Sequence, residues 1–219
     1  MVTYEQVKAS DEINAYIQQA DKSLSELGYT EHYLPHVMRC AEVASSILLQ
    51  LGFSEREAEL AKIAGYMHDI GNVINRDNHA QTGALMAFRI LDKMGMSTQE
   101  TGKIITAIGY HDEKAAYPVN EIAAALILAD KTDVRRTRVR NSETINFDIH
   151  DRVNFAAEKG ELKLDSDAKT LSLFLTIDTE ICPVADYFEI FLNRMMLCKR
   201  AADKLSLTFK LIINDAVLI

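Results

Sequence analysis

The sequence predicts a mainly α-helical body followed by a small C-terminal α+β unit, and three observations carry that expectation. Apolar residues recur at three- and four-residue spacing through the first two-thirds of the 219 residues, as they do in amphipathic helices. Capping residues and glycines punctuate that stretch at helical lengths. After about Asn141 the period falls to two between Glu161 and Ile177, as in a hairpin.

Taken in order, Asp11 caps a helix to about Leu27, which Gly28 ends. Thr30 caps a second, with Leu34, Val37, Met38, Ala41, Ala44 and Leu48 on its apolar stripe, stopping near Gly52. Ser54 opens a third, through Ala58 and Ile63 to the segment HDIGN at 68–72. Asp77 or Asn78 caps a fourth, which contains His79. Ser97 with Glu100 fits a capping box for a fifth, running up to His111. Asn120 caps a sixth, EIAAALILADKTDV, apolar on nearly every side and therefore central. Beyond 141, a hairpin, a long helix from about Pro183 to Leu205 and the strand TFKLIIN make a β-β-α-β unit. The expected division is 1–141 for the helical body and 142–219 for a unit packed on it.

Composition narrows the function. A net charge of -8 argues against general nucleic-acid binding, which depends on Lys and Arg neutralising phosphates. A small phosphorylated partner stays compatible, because bound cations invert the local field where carboxylates cluster. Cys40, Cys182 and Cys198 have no metal-binding spacing and sit in apolar contexts, so they read as buried thiols in a reducing compartment. The N-terminus lacks the basic start and apolar run of a signal peptide, and no stretch approaches 18 apolar residues. A cytoplasmic protein without membrane partners is expected. A homodimer through the tail or its apolar helix is a further expectation.

Four of the six histidines fall in an ordered array with two aspartates: His36, His68-Asp69, His79, His111 and Asp130. A lone histidine is more often hydrogen-bonded or exposed than a ligand. A His-Asp doublet late in an apolar helix needs buried partners, however, and a metal supplies one. Imidazole and carboxylate suit first-row divalent metals, and helical bundles build such sites from several helices.

On these residues the sequence resembles the HD-domain metal-dependent phosphohydrolases, named for their His-Asp doublet. The matching blocks are HVMRCAEVA at 36–44, HDIGN at 68–72, NHAQTGALMAFRIL at 78–91, YHDEKAAYP at 110–118 and AALILADKTD at 124–133, about half the chain. The resemblance implies an HD-domain helical bundle. It also implies one metal on His36, His68, Asp69 and Asp130, with Asp69 bridging to a second on His79 and His111. Two divalent ions are implied, iron or manganese first, with zinc, cobalt or magnesium as alternatives. The implied reaction is attack of a metal-bridging hydroxide on a phosphate ester or anhydride of a nucleotide or small metabolite. Asp69 and Asp112 are the catalytic candidates, although Asp112 could instead be a ligand or orient His111. Likeness to the HD-GYP group is distant. That group carries lysine at Asn72, paired histidines at His111-Asp112, and Gly-Tyr-Pro at Ala116-Tyr117-Pro118, so cyclic-dinucleotide cleavage is not expected.

Just after Asp130 comes the one strongly basic run, KTDVRRTRVR. If the helix continues, Lys131, Arg135 and Arg138 share a stripe beside Asp130 and face substrate phosphates, with Arg76 as a further contact. A solvated helix face is the plainer reading of such a run. His32 reads as a partly exposed neighbour of the array, and His150 as structural or near the substrate. Two other functions fit the same array: a di-iron oxygenase, which would consume oxygen without phosphatase activity, and a non-catalytic nucleotide sensor, which would bind without turnover.

Overall fold

The computed structural model describes residues 1–140 and 149–219. The expected boundary at 141/142 lies outside the described residues. Nine α-helices and one four-stranded sheet occur among them. The helices are α1 (Tyr4–Lys8), α2 (Asp11–Glu26), α3 (Leu34–Gln50), α4 (Glu55–Met67), α5 (His79–Lys93), α6 (Thr98–Gly109), α7 (Glu121–Lys131), α8 (Ile149–Ala156) and α9 (Val184–Lys204). The strands are β1 (Ala157–Asp165), β2 (Thr170–Ile177), β3 (Thr208–Ile213) and β4 (Ala216–Val217), in spatial order β1-β2-β3-β4. The fold is mainly α with a small α+β unit.

Caps explain most boundaries. Ser54, Ser97 and Asn120 accept from the backbone N–H three residues on. Glu100 does not complete the capping box expected with Ser97, because Arg56 takes its carboxylate at 2.7 and 2.8 Å. Ser10, rather than Asp11, caps α2, and Asp11 sits in its first turn. Asn78 precedes α5 in a left-handed conformation with no side-chain cap bond. The Thr3/Gln6 capping box that starts α1 was a readable signal of an element the sequence reading omitted.

Two boundaries depart from expectation for tertiary reasons. Helix α3 begins at Leu34 rather than after Thr30, with Pro35 in its first turn, where a missing N–H costs little. The stretch 28–32 is thereby free to line the main cavity. Helix α7 stops at Lys131, with Thr132 at its C-cap and Arg135 extended. Arg136–Arg138 form a separate short 3-10 turn, so the single stripe of Lys131, Arg135 and Arg138 does not form.

Helix α7 is buried on every side from Ile122 to Ala129 and packs against α3, α4, α6 and α9. Helix α9 also lies against β3. Strand β2 pairs antiparallel with β1 and parallel with β3, the latter through the α9 crossover.

The tightest approach lies beside the HDIGN turn. A Cβ on Gly71 would fall 2.0 Å from the His79 carbonyl oxygen and 2.5 Å from the Gly83 nitrogen. Gly71→Ala is therefore expected to destabilise the protein by about 3 kcal/mol, because backbone would have to move. A thermal melt giving an unchanged midpoint would refute this. The same displacement would pull His79 away from its neighbours, so metal uptake should fall as well.

Candidate metal centre

Five elements deliver the array to one place. His36 projects from the first turn of α3, His68 and Asp69 follow the end of α4, His79 is the first residue of α5, His111 follows α6, and Asp130 is near the end of α7. All four imidazoles are buried, and their rings meet edge to face: His36 on His68, His68 on His111, and His79 on His111.

Each ring is held by its Nδ1. His68, His79 and His111 donate Nδ1–H to the carbonyls of Gly65 (2.8 Å), Arg76 (2.9 Å) and Ile108 (2.6 Å). His36 donates to Asp133 Oδ2 at 2.8 Å. Every partner is an acceptor only, which fixes the proton on Nδ1 and leaves each Nε2 lone pair facing inward.

Asp69 lies between two histidine pairs. Its Oδ2 is 3.2 Å from His68 Nε2 and 3.7 Å from His36 Nε2. Its Oδ1 is 3.5 Å from His79 Nε2 and 3.8 Å from His111 Nε2. Asp130 Oδ1 is 3.5 Å from His36 Nε2 and 3.9 Å from His68 Nε2. Asn72 donates its side-chain N–H to Asp69 Oδ1 at 2.9 Å, and Arg76 donates to Asn72 Oδ1 at 3.2 Å.

The donor set fits divalent cations. His68 Nε2 is buried with no hydrogen-bond partner, an arrangement that costs free energy unless something occupies the lone pair. His79 and His111 point their Nε2 atoms at one another 3.2 Å apart, with an Arg76 N–H 3.4 Å from His79 Nε2; two facing acceptors call for positive charge beside or between them. Burial, with His111 and Arg76 adding to it, outweighs the pull of Asp69 and lowers His79 to about 4, so it is neutral near pH 7. Burial alone would raise the carboxyls of Asp69 and Asp130. His68 offsets this for Asp69, and Lys131 with His36 offsets it for Asp130, so both lie well below the usual range. Burial would lower His68, but the neighbouring carboxylates outweigh it and leave this imidazole raised, so its Nε2 draws positive charge, a proton or a metal cation. Ionised oxygens and inward lone pairs together ask for cationic charge.

Ligand-type atoms of His36, Cys40, His68 and Asp130 lie within 4.8 Å of one another, as do those of His68, Asp69 and His111. Cys40 sits one turn from His36 with its sulfur 3.7 Å from both ring nitrogens. Burial pushes its thiol well up, so it packs rather than ligates.

A cavity of about 590 Å³ opens over the cluster. Arg76, Lys131 and Arg138 line it, and Arg135 does not. Arg135 turns away to grip Asp133 with two bonds, at 2.5 and 2.9 Å. Arg138 donates to the carbonyls of Glu31 and Asp133, and Lys131 pairs with Asp130 Oδ2 at 2.7 Å. Asp112 also lines the cavity, its carboxylate 4.0 Å from His79 Nε2. His32 and His150 face the same space.

Sequence reasoning missed three contributors. Asp133, fully buried, anchors His36 while Arg39, Arg135 and Arg138 surround it; the Asp130-x-x-Asp133 spacing was its signal. Phe191 and Arg194 of α9 form one wall of the cavity, which no local pattern announces.

Fold and cluster define a helical protein with a His/Asp site for divalent metal. Residues 33–139 match the HD domain family model, which makes that stretch of the chain an HD domain. The chain is 24% identical over 200 residues to an uncharacterized protein of Methanocaldococcus jannaschii, covering 81% of this chain and 76% of that one. It is 30% identical over 115 residues to ribonuclease Y of Opitutus terrae and over 141 residues to that of Mesoplasma florum. The matches cover 51% and 60% of this chain but 20% and 26% of those enzymes. A crystal structure of an HD superfamily hydrolase from an uncultured Thermotogales bacterium aligns with a TM-score of 0.45 at 24% identity, over 57% of this chain and 67% of that one.

Proposed function

We propose that the protein is a phosphohydrolase with a binuclear metal centre that cleaves a phosphate ester or anhydride of a nucleotide or another small phosphorylated metabolite. The observation that carries this reading is Asp69, which presents one carboxylate oxygen to each histidine pair. His36, His68 and Asp130 with Asp69 would hold one cation, and His79 and His111 with Asp69 the other. Iron or manganese suits these donors best, with zinc, cobalt and magnesium as alternatives. Bound divalent cations supply Lewis acidity and an activated water.

The chain's own residues do the rest. Arg76, steadied by Asn72 and stacked over Tyr29, orients phosphate oxygens, with Lys131 and Arg138 adding positive charge at the floor. Asp112, which lines the same cavity with its carboxylate 4.0 Å from His79 Nε2, is the candidate to protonate the leaving group. The relatives named ribonuclease Y, enzymes acting on RNA by that name, support phosphorus as the centre attacked. The net charge of -8 favours a small substrate over polymeric nucleic acid. No helix among the described residues is long and apolar enough to cross a membrane.

The test is metal analysis of the purified protein alongside phosphate release from nucleotides, cyclic dinucleotides and sugar phosphates. About two metals per chain are expected, with release lost on chelation and regained on adding manganese or iron. Metal-loaded protein that releases nothing across the panel, or protein that takes up no metal on reconstitution, would overturn the reading.

A further inference from the structure

We propose that two copies of this chain associate through antiparallel pairing of their β1 strands about a two-fold axis at Leu162. This rests on the sheet and is independent of the metal centre. Strand β1 is the sheet's edge, paired with β2 on one side and with no described strand on the other. Beside that edge runs a groove of about 370 Å³ between β1 and α3, whose apolar lining is Val43, Ile47, Leu162, Leu164 and Leu171, with Arg39, Ser46 and Gln50 of α3 also lining it. Leu162 and Leu164 pack on the core but stay only half-buried.

An exposed edge of this kind templates further pairing unless something blunts it, commonly a row of lysines. Here the outer face alternates in sign: Lys159, Glu161, Lys163, Asp165. With Leu162 opposite Leu162 of a second copy, Lys159 meets Asp165 and Glu161 meets Lys163. The two-fold axis repeats both pairs, so every charge on that face finds its opposite. The inner face matches in the same register, because Leu164 lies opposite Gly160. Gly160 carries no side chain, and the Val134 carbonyl of its own chain covers it, 2.7 Å from where a Cβ would stand, so the second copy's Leu164 would pack beside that carbonyl.

Other registers match fewer charges: centring the axis on Gly160 keeps only Lys159 against Glu161, and centring it on Leu164 keeps only Lys163 against Asp165. Centring the axis on Glu161 sets Glu161 against itself and Lys159 against Lys163, and like charges directly opposite destabilise a sheet. A one-residue slip would put leucines on the charged face. Within one chain, Lys159 and Lys163 both lean on Glu161, at 3.3 and 3.4 Å. Pairing gives each charge its own partner and fills the α3 groove with the second copy's leucines.

The experiment is sedimentation equilibrium of the full chain over a concentration series, with circular-dichroism melts to check folding. Wild type is expected to dimerise. Glu161→Lys replaces both attractive pairs with Lys163 by repulsive ones and should weaken self-association roughly tenfold or more. The double exchange Glu161→Lys with Lys163→Glu restores opposite charges at every pair of this register and should recover dimerisation. A wild type that stays monomeric throughout, a folded Glu161→Lys that dimerises as wild type does, or a double variant as weak as the single would each overturn the proposal.

Discussion

Asp69→Ala is expected to lower metal-dependent phosphate release by about a thousandfold or more. No other side chain among the described residues faces both histidine pairs with separate oxygens. Its removal would therefore take a donor from both of the proposed cation positions at once. It also strands the Asn72 N–H that Asp69 accepts. Metal content per chain should fall with the rate, and the helical circular-dichroism signal should survive, since α4 and α5 are held by Ile63, Met67 and Leu91 in the core rather than by this carboxylate. A variant that kept both its metal and its rate would remove the basis for a shared site.

The second large effect is expected at a residue that touches no metal position. Asp133 has no exposed side-chain surface and is ringed by His36, Arg39, Arg135 and Arg138. Breaking a buried charge cluster by removing one sign is strongly destabilising, so Asp133→Ala should cost about 3–5 kcal/mol in chemical unfolding. It should also weaken metal binding about 10- to 100-fold, because His36 loses the acceptor that sets its ring and its proton.

The pH dependence follows from the direction of the Asp133 shift. Burial would raise its carboxyl, but the bonds from His36 and Arg135 and the Arg138 charge more than offset it and hold it well below the usual range. Its contribution is therefore complete above the unfolded value of about 3.9 and is lost only as pH falls through the folded value. The gap between wild type and Asp133→Ala should hold steady from neutral pH to about 4 and close below that. Equal stability of the two proteins at neutral pH would refute the assignment.

How much could be read beforehand differs between local and tertiary features. Helices α4, α6 and α7 were legible because Ser54, Ser97 and Asn120 cap them with their own side chains. The ordered histidines and aspartates were legible because burial forces such groups to converge on something. The end of α7 was not, because it is decided by Asp133, whose partner His36 lies 97 residues away. Arg135 looked like a phosphate contact by spacing, yet the same carboxylate claims it. Asn72 was visible only as a departure from related sequences; that it steadies Asp69 depends on the 3-10 turn at Ile70–Val73, which brings its amide back over the chain.

Helix α9 belongs to two neighbourhoods at once. One side covers the sheet at β3, while Phe191 and Arg194 reach the cavity. None of the six residues of the His/Asp cluster lies on it. Part of what shapes the cavity is thus written outside the stretch of chain that carries the cluster: substitutions along α9 can reshape what fits above the six residues and leave them in place. A lineage could change its diet without changing its teeth.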